Sequence, residues 1–128
     1  NPLIRDLARE SFKGIEHKVA LIEPLEYVDF ANLMNKCYLI MTDSGGIQEE
    51  APALGKPVVV LRTETERPEA VKAGTVKLAG VERNKIFEIT NELVIDDLEY
   101  HKMAHAINPY GDGKACERIV ELIVKHFE

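Results

Sequence analysis

The chain of 128 residues is long enough for one domain with a sizeable core, and its 45% hydrophobic and 30% charged residues are ordinary for a globular protein. A formal net charge of −6 excludes a general nucleic-acid or acidic-membrane binder, which needs a broad positive surface, but leaves room for one bound nucleotide. No apolar run approaches the roughly 20 residues that span a bilayer and no signal-peptide pattern opens the chain, so the cytoplasm is the expected compartment.

The sequence opens Asn1-Pro2, in mid-pattern and without methionine, as a fragment cut from a longer protein would. Leu3, Ile4, Leu7 and Ala8 recur at helical spacing, which predicts a helix over residues 2–12 with Pro2 in its first turn. Lys18-Val-Ala-Leu-Ile22, closed by Glu23-Pro24, reads as a buried strand, and Tyr27, Phe30, Ala31, Leu33 and Met34 mark the next helix. A strand from Tyr38 to Thr42 then leads through two glycines into a helix reaching Gly55, in which Pro52 should introduce a kink or remove a hydrogen bond. Lys56-Pro57-Val-Val-Val-Leu61 is continuous in apolar residues, as a strand covered on both faces would be. Pro68 begins a short helix that Gly74 stops, Thr75 to Leu78 is a fourth strand, and Glu82 to Ile95 is a helix burying Ile86, Phe87, Ile89, Leu93 and Val94. Asp96-Asp97 caps a short helix to about Ala106, Asn108-Pro-Tyr-Gly-Asp-Gly113 is a tight loop, and Lys114 to Phe127 forms the last helix.

Strands alternating with helices imply an α/β, Rossmann-like three-layer sandwich around a parallel sheet. Ligands of such sheets sit beyond the carboxyl ends of the strands. The Glu23-to-Phe30 segment, the Asp43 turn and the Arg62-to-Arg67 segment all follow strands, so they should share one edge.

The richest stretch is Tyr38-Leu-Ile-Met-Thr-Asp43-Ser44-Gly45-Gly46-Ile-Gln-Glu-Glu50-Ala-Pro52. A Ser-Gly-Gly turn at a helix start offers backbone N–H groups, a hydroxyl and the positive end of the helix dipole, and glycine lets a phosphate come close. Glu50 lies six residues beyond Ser44, within reach of a ribose hydroxyl, and Arg67 before Pro68 has the planar donors for a bidentate phosphate clamp. The alternatives are a plain helix cap for Ser44 to Gly46 and a surface arginine paired with Glu64 or Glu66 for Arg67. On local grounds Phe30 is a core residue. His101 and His105 share a helix face at a zinc-binding spacing but lack a third ligand, and a solvated pair is the expectation. Tyr110 and Asp112 fit either a helix lead-in or a ligand-closing loop. Cys37 and Cys116 are too few for a disulfide scaffold and are expected to be reduced.

Taken together, Pro24-x-Glu26-Tyr27, Phe30, Leu33-Met34, Thr42-Asp-Ser-Gly-Gly-Ile-Gln-Glu-Glu-Ala-Pro52, Leu54-Gly-Lys-Pro57, Thr65-Glu-Arg-Pro-Glu-Ala70, Ala73-Gly-Thr75 and Asn108-Pro-Tyr-Gly-Asp-Gly113 resemble the non-hydrolysing UDP-N-acetylglucosamine 2-epimerases. The likeness covers nearly the whole chain, which would be the carboxyl-terminal half of a two-domain, GT-B-type enzyme lacking that domain's first strands. The resemblance implies interconversion of UDP-N-acetylglucosamine and UDP-N-acetylmannosamine: loss of the C2 proton, expulsion of UDP, and its return with inversion at C2. It implies no metal or nicotinamide cofactor. By position, Ser44, Gly45 and Gly46 would bind the diphosphate, Glu50 the ribose and Arg67 the phosphates, with Phe30 and Leu25 at the uracil. Leu25 stands where relatives can carry Gln. The acid–base carboxylates and a contributing histidine would lie in the missing amino-terminal part, so none of the catalytic residues is expected in residues 1–128. The fragment alone should be inactive, and the full enzyme is expected to be a homodimer.

The missing strands leave a gap in the sheet. Val19 to Ile22 should therefore pair directly beside Tyr38 to Thr42 or find partner strands in another chain, because unpaired edges are unstable. Three rival readings remain: the donor-nucleotide domain of a GT-B glycosyltransferase, a hydrolysing epimerase, and a receiver-like regulatory domain. The last needs an acidic cluster at the strand ends, and Asp43 stands alone there.

Overall fold

The computed structural model describes residues 2–127. They form two compact units, divided between Phe30 and Ala31.

In the first unit, α1 (Pro2–Ser11) is followed by a single 3-10 turn at Glu16–Lys18. Arg5 pairs with Glu23 at 3.5 Å, and Ser11 Oγ donates to the Leu7 carbonyl. The predicted strand at Lys18 to Ile22 does not form. Val19 has extended dihedrals, but residues 19–22 join no sheet, and Leu21 and Ile22 are exposed. An apolar run becomes a strand only when a neighbour accepts its backbone groups, and without a ladder it stays solvated, extended chain. Helix α2 (Tyr27–Lys36) matches its prediction, and the unit boundary falls within it.

In the second unit, β1 (Ile40–Thr42), β2 (Val58–Val60) and β3 (Val76–Leu78) form a parallel sheet in the order β1-β2-β3. Register pairs Thr42 with Val60 and Val60 with Leu78, so all three strands end at one edge. Each strand is short, and all of β2 is buried. Side chains alternate across it. Val58 and Val60 pack with Ala51, Ala70 and Val76 on the face covered by α3 (Gly45–Ala53) and α4 (Pro68–Ala73). Val59 packs with Ala79, Leu93 and Met103 on the face covered by α5 (Arg83–Ile95) and α6 (Asp97–Ala104). The result is the expected three-layer α/β sandwich.

Local chemistry sets the element ends. Pro68 occupies the first turn of α4, where its missing N–H costs nothing, and Gly74 closes that helix at φ 78°, a left-handed conformation suited to glycine. The Asp96 carboxylate accepts from the amides of Leu98 and Glu99 at 2.9 and 3.2 Å and so starts α6. Pro52 lies inside α3, which ends one residue later at Ala53, short of the expected Gly55, with bonds from Leu54 to Ala51 and Gly55 to Pro52. The expected inner face of α5 needs correcting. Ile86, Ile89 and Leu93 make a single inward stripe, whereas Phe87 and Val94, one position around the helix, are exposed. Helix α7 (Ala115–Phe127) is exposed throughout.

Candidate functional site

Strand β1 ends at Thr42, and the Thr42 hydroxyl accepts from the Ser44 amide at 3.0 Å, shaping the turn into α3. Ser44 takes an extended conformation, φ −82° and ψ 132°, and its hydroxyl makes no capping bond to the helix. A serine at this position would ordinarily occupy one of the first free amides. Here the hydroxyl instead lies 3.9 Å from the point a Cβ on Gly46 would occupy.

A staple fixes this turn to the loop after β2. Gln48 is fully buried, and its Nε2 donates to the Ser44 carbonyl at 3.2 Å. Its Oε1 accepts from the Thr65 hydroxyl at 2.6 Å, and the Thr65 hydroxyl in turn accepts from the Arg67 amide at 3.1 Å. Sequence reading assigned no role to Gln48 or Thr65. The available signal was Gln48 four residues after Ser44, a spacing that returns a side chain to the start of its own helix.

The staple brings Arg67 to the helix start. Its Nη2 lies 3.9 Å from the point a Cβ on Gly45 would occupy, while its Nε donates to Glu49 and its Nη1 to the Glu66 carbonyl at 3.2 Å. The bond to Glu49 raises the Arg67 pKa further above its ordinary value. At Gly46, the corresponding point is 3.8 Å from Glu50 Oε1 and 3.9 Å from Ser44 Oγ. Ser44, Gly45, Gly46, Glu50 and Arg67 therefore converge at the carboxyl edge of the sheet. Glu66 joins them: its carboxylate lies against Gly45 and pairs with Arg62 at 2.8 Å. A bond to its own backbone amide, helped by Arg62 and Arg67, holds the Glu66 carboxyl below the usual range.

Leu25 and Phe30 belong to the first unit. Leu25 is on the irregular segment before α2, and Phe30 is in the first turn of α2, its amide bonded to the Glu26 carbonyl at 2.9 Å. The Asn108-to-Gly113 loop divides its labour. Asp112 accepts from the Lys114 amide and from both Arg118 Nη atoms, anchoring α7, while Tyr110 packs against the cluster of Ala51, Val60 and Ala70. The Tyr110 hydroxyl is buried without a hydrogen-bond partner. His105 Nδ1 lies 2.8 Å from the His101 carbonyl, and among the described residues no three His, Cys, Asp or Glu side chains gather as a metal site would need. Cys37 and Cys116 are free thiols, and among the described residues no helix is long and apolar enough to cross a membrane.

The sequence profile of the UDP-N-acetylglucosamine 2-epimerases matches residues 1–124. The chain belongs to that family. A UDP-N-acetylglucosamine 2-epimerase of Bacillus subtilis is 54% identical over 127 residues, 99% of this chain and 33% of its own length. One from Escherichia coli is 53% identical over 123 residues, 96% of this chain and 32% of its own length. The crystal structure of the Neisseria meningitidis UDP-GlcNAc 2-epimerase bound to UDP-GlcNAc superposes with a TM-score of 0.92 at 53% identity, covering 98% of this chain and 34% of that one. The chain thus spans about a third of the length of these epimerases, and its fold is that of the matching third of the Neisseria meningitidis structure.

Proposed function

We propose that this chain supplies the UDP-holding part of a non-hydrolysing UDP-N-acetylglucosamine 2-epimerase, which interconverts UDP-N-acetylglucosamine and UDP-N-acetylmannosamine. The observation that carries this reading is the convergence of Ser44, Gly45, Gly46, Glu50 and Arg67 on one helix start in a chain of this family. Expelling UDP from the sugar develops negative charge on the β-phosphate. The α3 amides, the Ser44 hydroxyl and the Arg67 guanidinium would stabilise that charge, and so the departing group more than the intact substrate. Glu50 would hold the ribose. The acid–base groups that move the C2 proton would come from the two thirds of the relatives' length that this chain does not span, so the chain alone would be inactive. The full enzyme would act as a cytoplasmic homodimer feeding cell-surface polysaccharide synthesis.

Isothermal titration of UDP against the protein and its Arg67→Ala variant tests the site. Affinity should fall about tenfold or more in the variant, and a folded protein that gives no UDP-dependent heat overturns the reading. For the reaction, NMR of UDP-N-acetylglucosamine with the full-length enzyme should show UDP-N-acetylmannosamine. Release of UDP with free N-acetylmannosamine would instead establish the hydrolysing activity.

A further inference from the structure

The opening at the start of α3 already contains an anion. A Cβ on Gly45 would collide with the Glu66 carboxylate, which lies in the space that glycine leaves open. Arg67 Nη2 borders the same space, and Glu50 and Ser44 border its Gly46 side. The position of Glu66 is well supported: Arg62 holds one carboxylate oxygen at 2.8 Å, and the Gln48–Thr65–Arg67 staple fixes the backbone from which it projects. The opposing guanidinium is occupied too, since Arg67 donates to Glu49. At the proposed phosphate site the arginine is therefore paired with one carboxylate of the protein itself, and a second lies beside the helix end. A carboxylate and a phosphate oxygen seek the same N–H donors, and two like charges do not share one small space.

On the reading of the site given above, we propose that Glu66 is a built-in competitor for the diphosphate subsite, displaced when a nucleoside diphosphate binds and returning as it leaves. Glu66 is the far end of a flexible, half-exposed side chain, so moving it requires no rearrangement of the backbone. Its return replaces the departing phosphate at the helix end, which keeps UDP from being held too tightly after each turnover.

The test compares UDP and uridine as ligands of the full-length protein and its Glu66→Gln, Glu66→Ala and Arg67→Ala variants, by isothermal titration with circular dichroism as the check on folding. Glu66→Gln keeps the size of the side chain and removes its charge. It should tighten UDP about fivefold and leave uridine unchanged, and Glu66→Ala should do the same. UDP affinity that is unchanged or weaker in both Glu66 variants, with Arg67→Ala still impaired, overturns the competitor role and leaves the phosphate site standing. Equal tightening of UDP and uridine also overturns it, because a charge at the phosphates acts only on the phosphorylated ligand. UDP binding that is absent, or indifferent to Arg67→Ala, overturns the competitor role together with the site beneath it.

Discussion

Gly45 is the residue on which the site turns. Its φ is not positive, so an alanine fits the backbone, and the nearest neighbour of the added methyl is the carboxylate end of the Glu66 side chain. Gly45→Ala should therefore fold normally, even gaining up to about 1 kcal/mol from better helix propensity, while UDP affinity falls about tenfold because the methyl sits where a phosphate would approach. A thermal melt alongside a UDP titration separates the two effects. Gln48 has the opposite profile. It is buried, and it satisfies the Ser44 carbonyl and the Thr65 hydroxyl at once. Gln48→Leu leaves both groups without their partner and should cost about 2–3 kcal/mol in urea unfolding, with UDP affinity reduced because Arg67 is no longer fixed.

At the scale of elements, the ends are set by single residues. Gly74 at φ 78° faces open space, so Gly74→Ala meets only backbone strain and should destabilise by about 1 kcal/mol; a shift in the urea midpoint at constant slope would confirm it. The same explicit signals explain what was legible in the sequence. Pro68, Gly74 and Asp96 punctuate the chain, the valines of β2 announce a strand buried on both faces, and Ser44-Gly45-Gly46 marks the helix start. What failed was each inference needing a neighbour that local pattern does not contain. Val19 to Ile22 has the composition of a strand but no ladder, and Phe87 and Val94 are apolar without facing the sheet. Likewise, spacing showed that Arg67 could reach a phosphate, but its bond to Glu49 and the position of Glu66 depend on how two loops meet.

Across the whole molecule, paired charges bound the pH range of stability. Hydrogen bonds from Lys102 and Lys77 lower Glu99, one from Arg118 lowers Asp112, and Glu66 is lowered by its own amide. Each contributes stability that is complete above its unfolded pKa and lost as pH falls through the lower folded value. Burial raises Tyr100 and Tyr110, and bonds to Glu92 and Glu99 raise Lys77 against the opposing effect of its burial; these contributions are complete below the unfolded values and lost as pH climbs through the folded ones. Stability should thus be level between about pH 5 and pH 9 and decline on both sides, and Asp112→Asn should flatten the acid limb in urea unfolding followed across pH. Around the start of α3, Glu49, Glu50 and Glu66 outnumber Arg62 and Arg67, in a chain of formal net charge −6. On the proposed function, an approaching diphosphate would therefore sense no long-range pull from this chain and be recognised only at contact. Its association rate, followed by stopped-flow fluorescence with a labelled uridine nucleotide, should stay flat or drop as salt is diluted from about 0.15 M to 0.01 M and screening recedes; a steep acceleration would mean that a basic surface elsewhere in the enzyme guides the encounter.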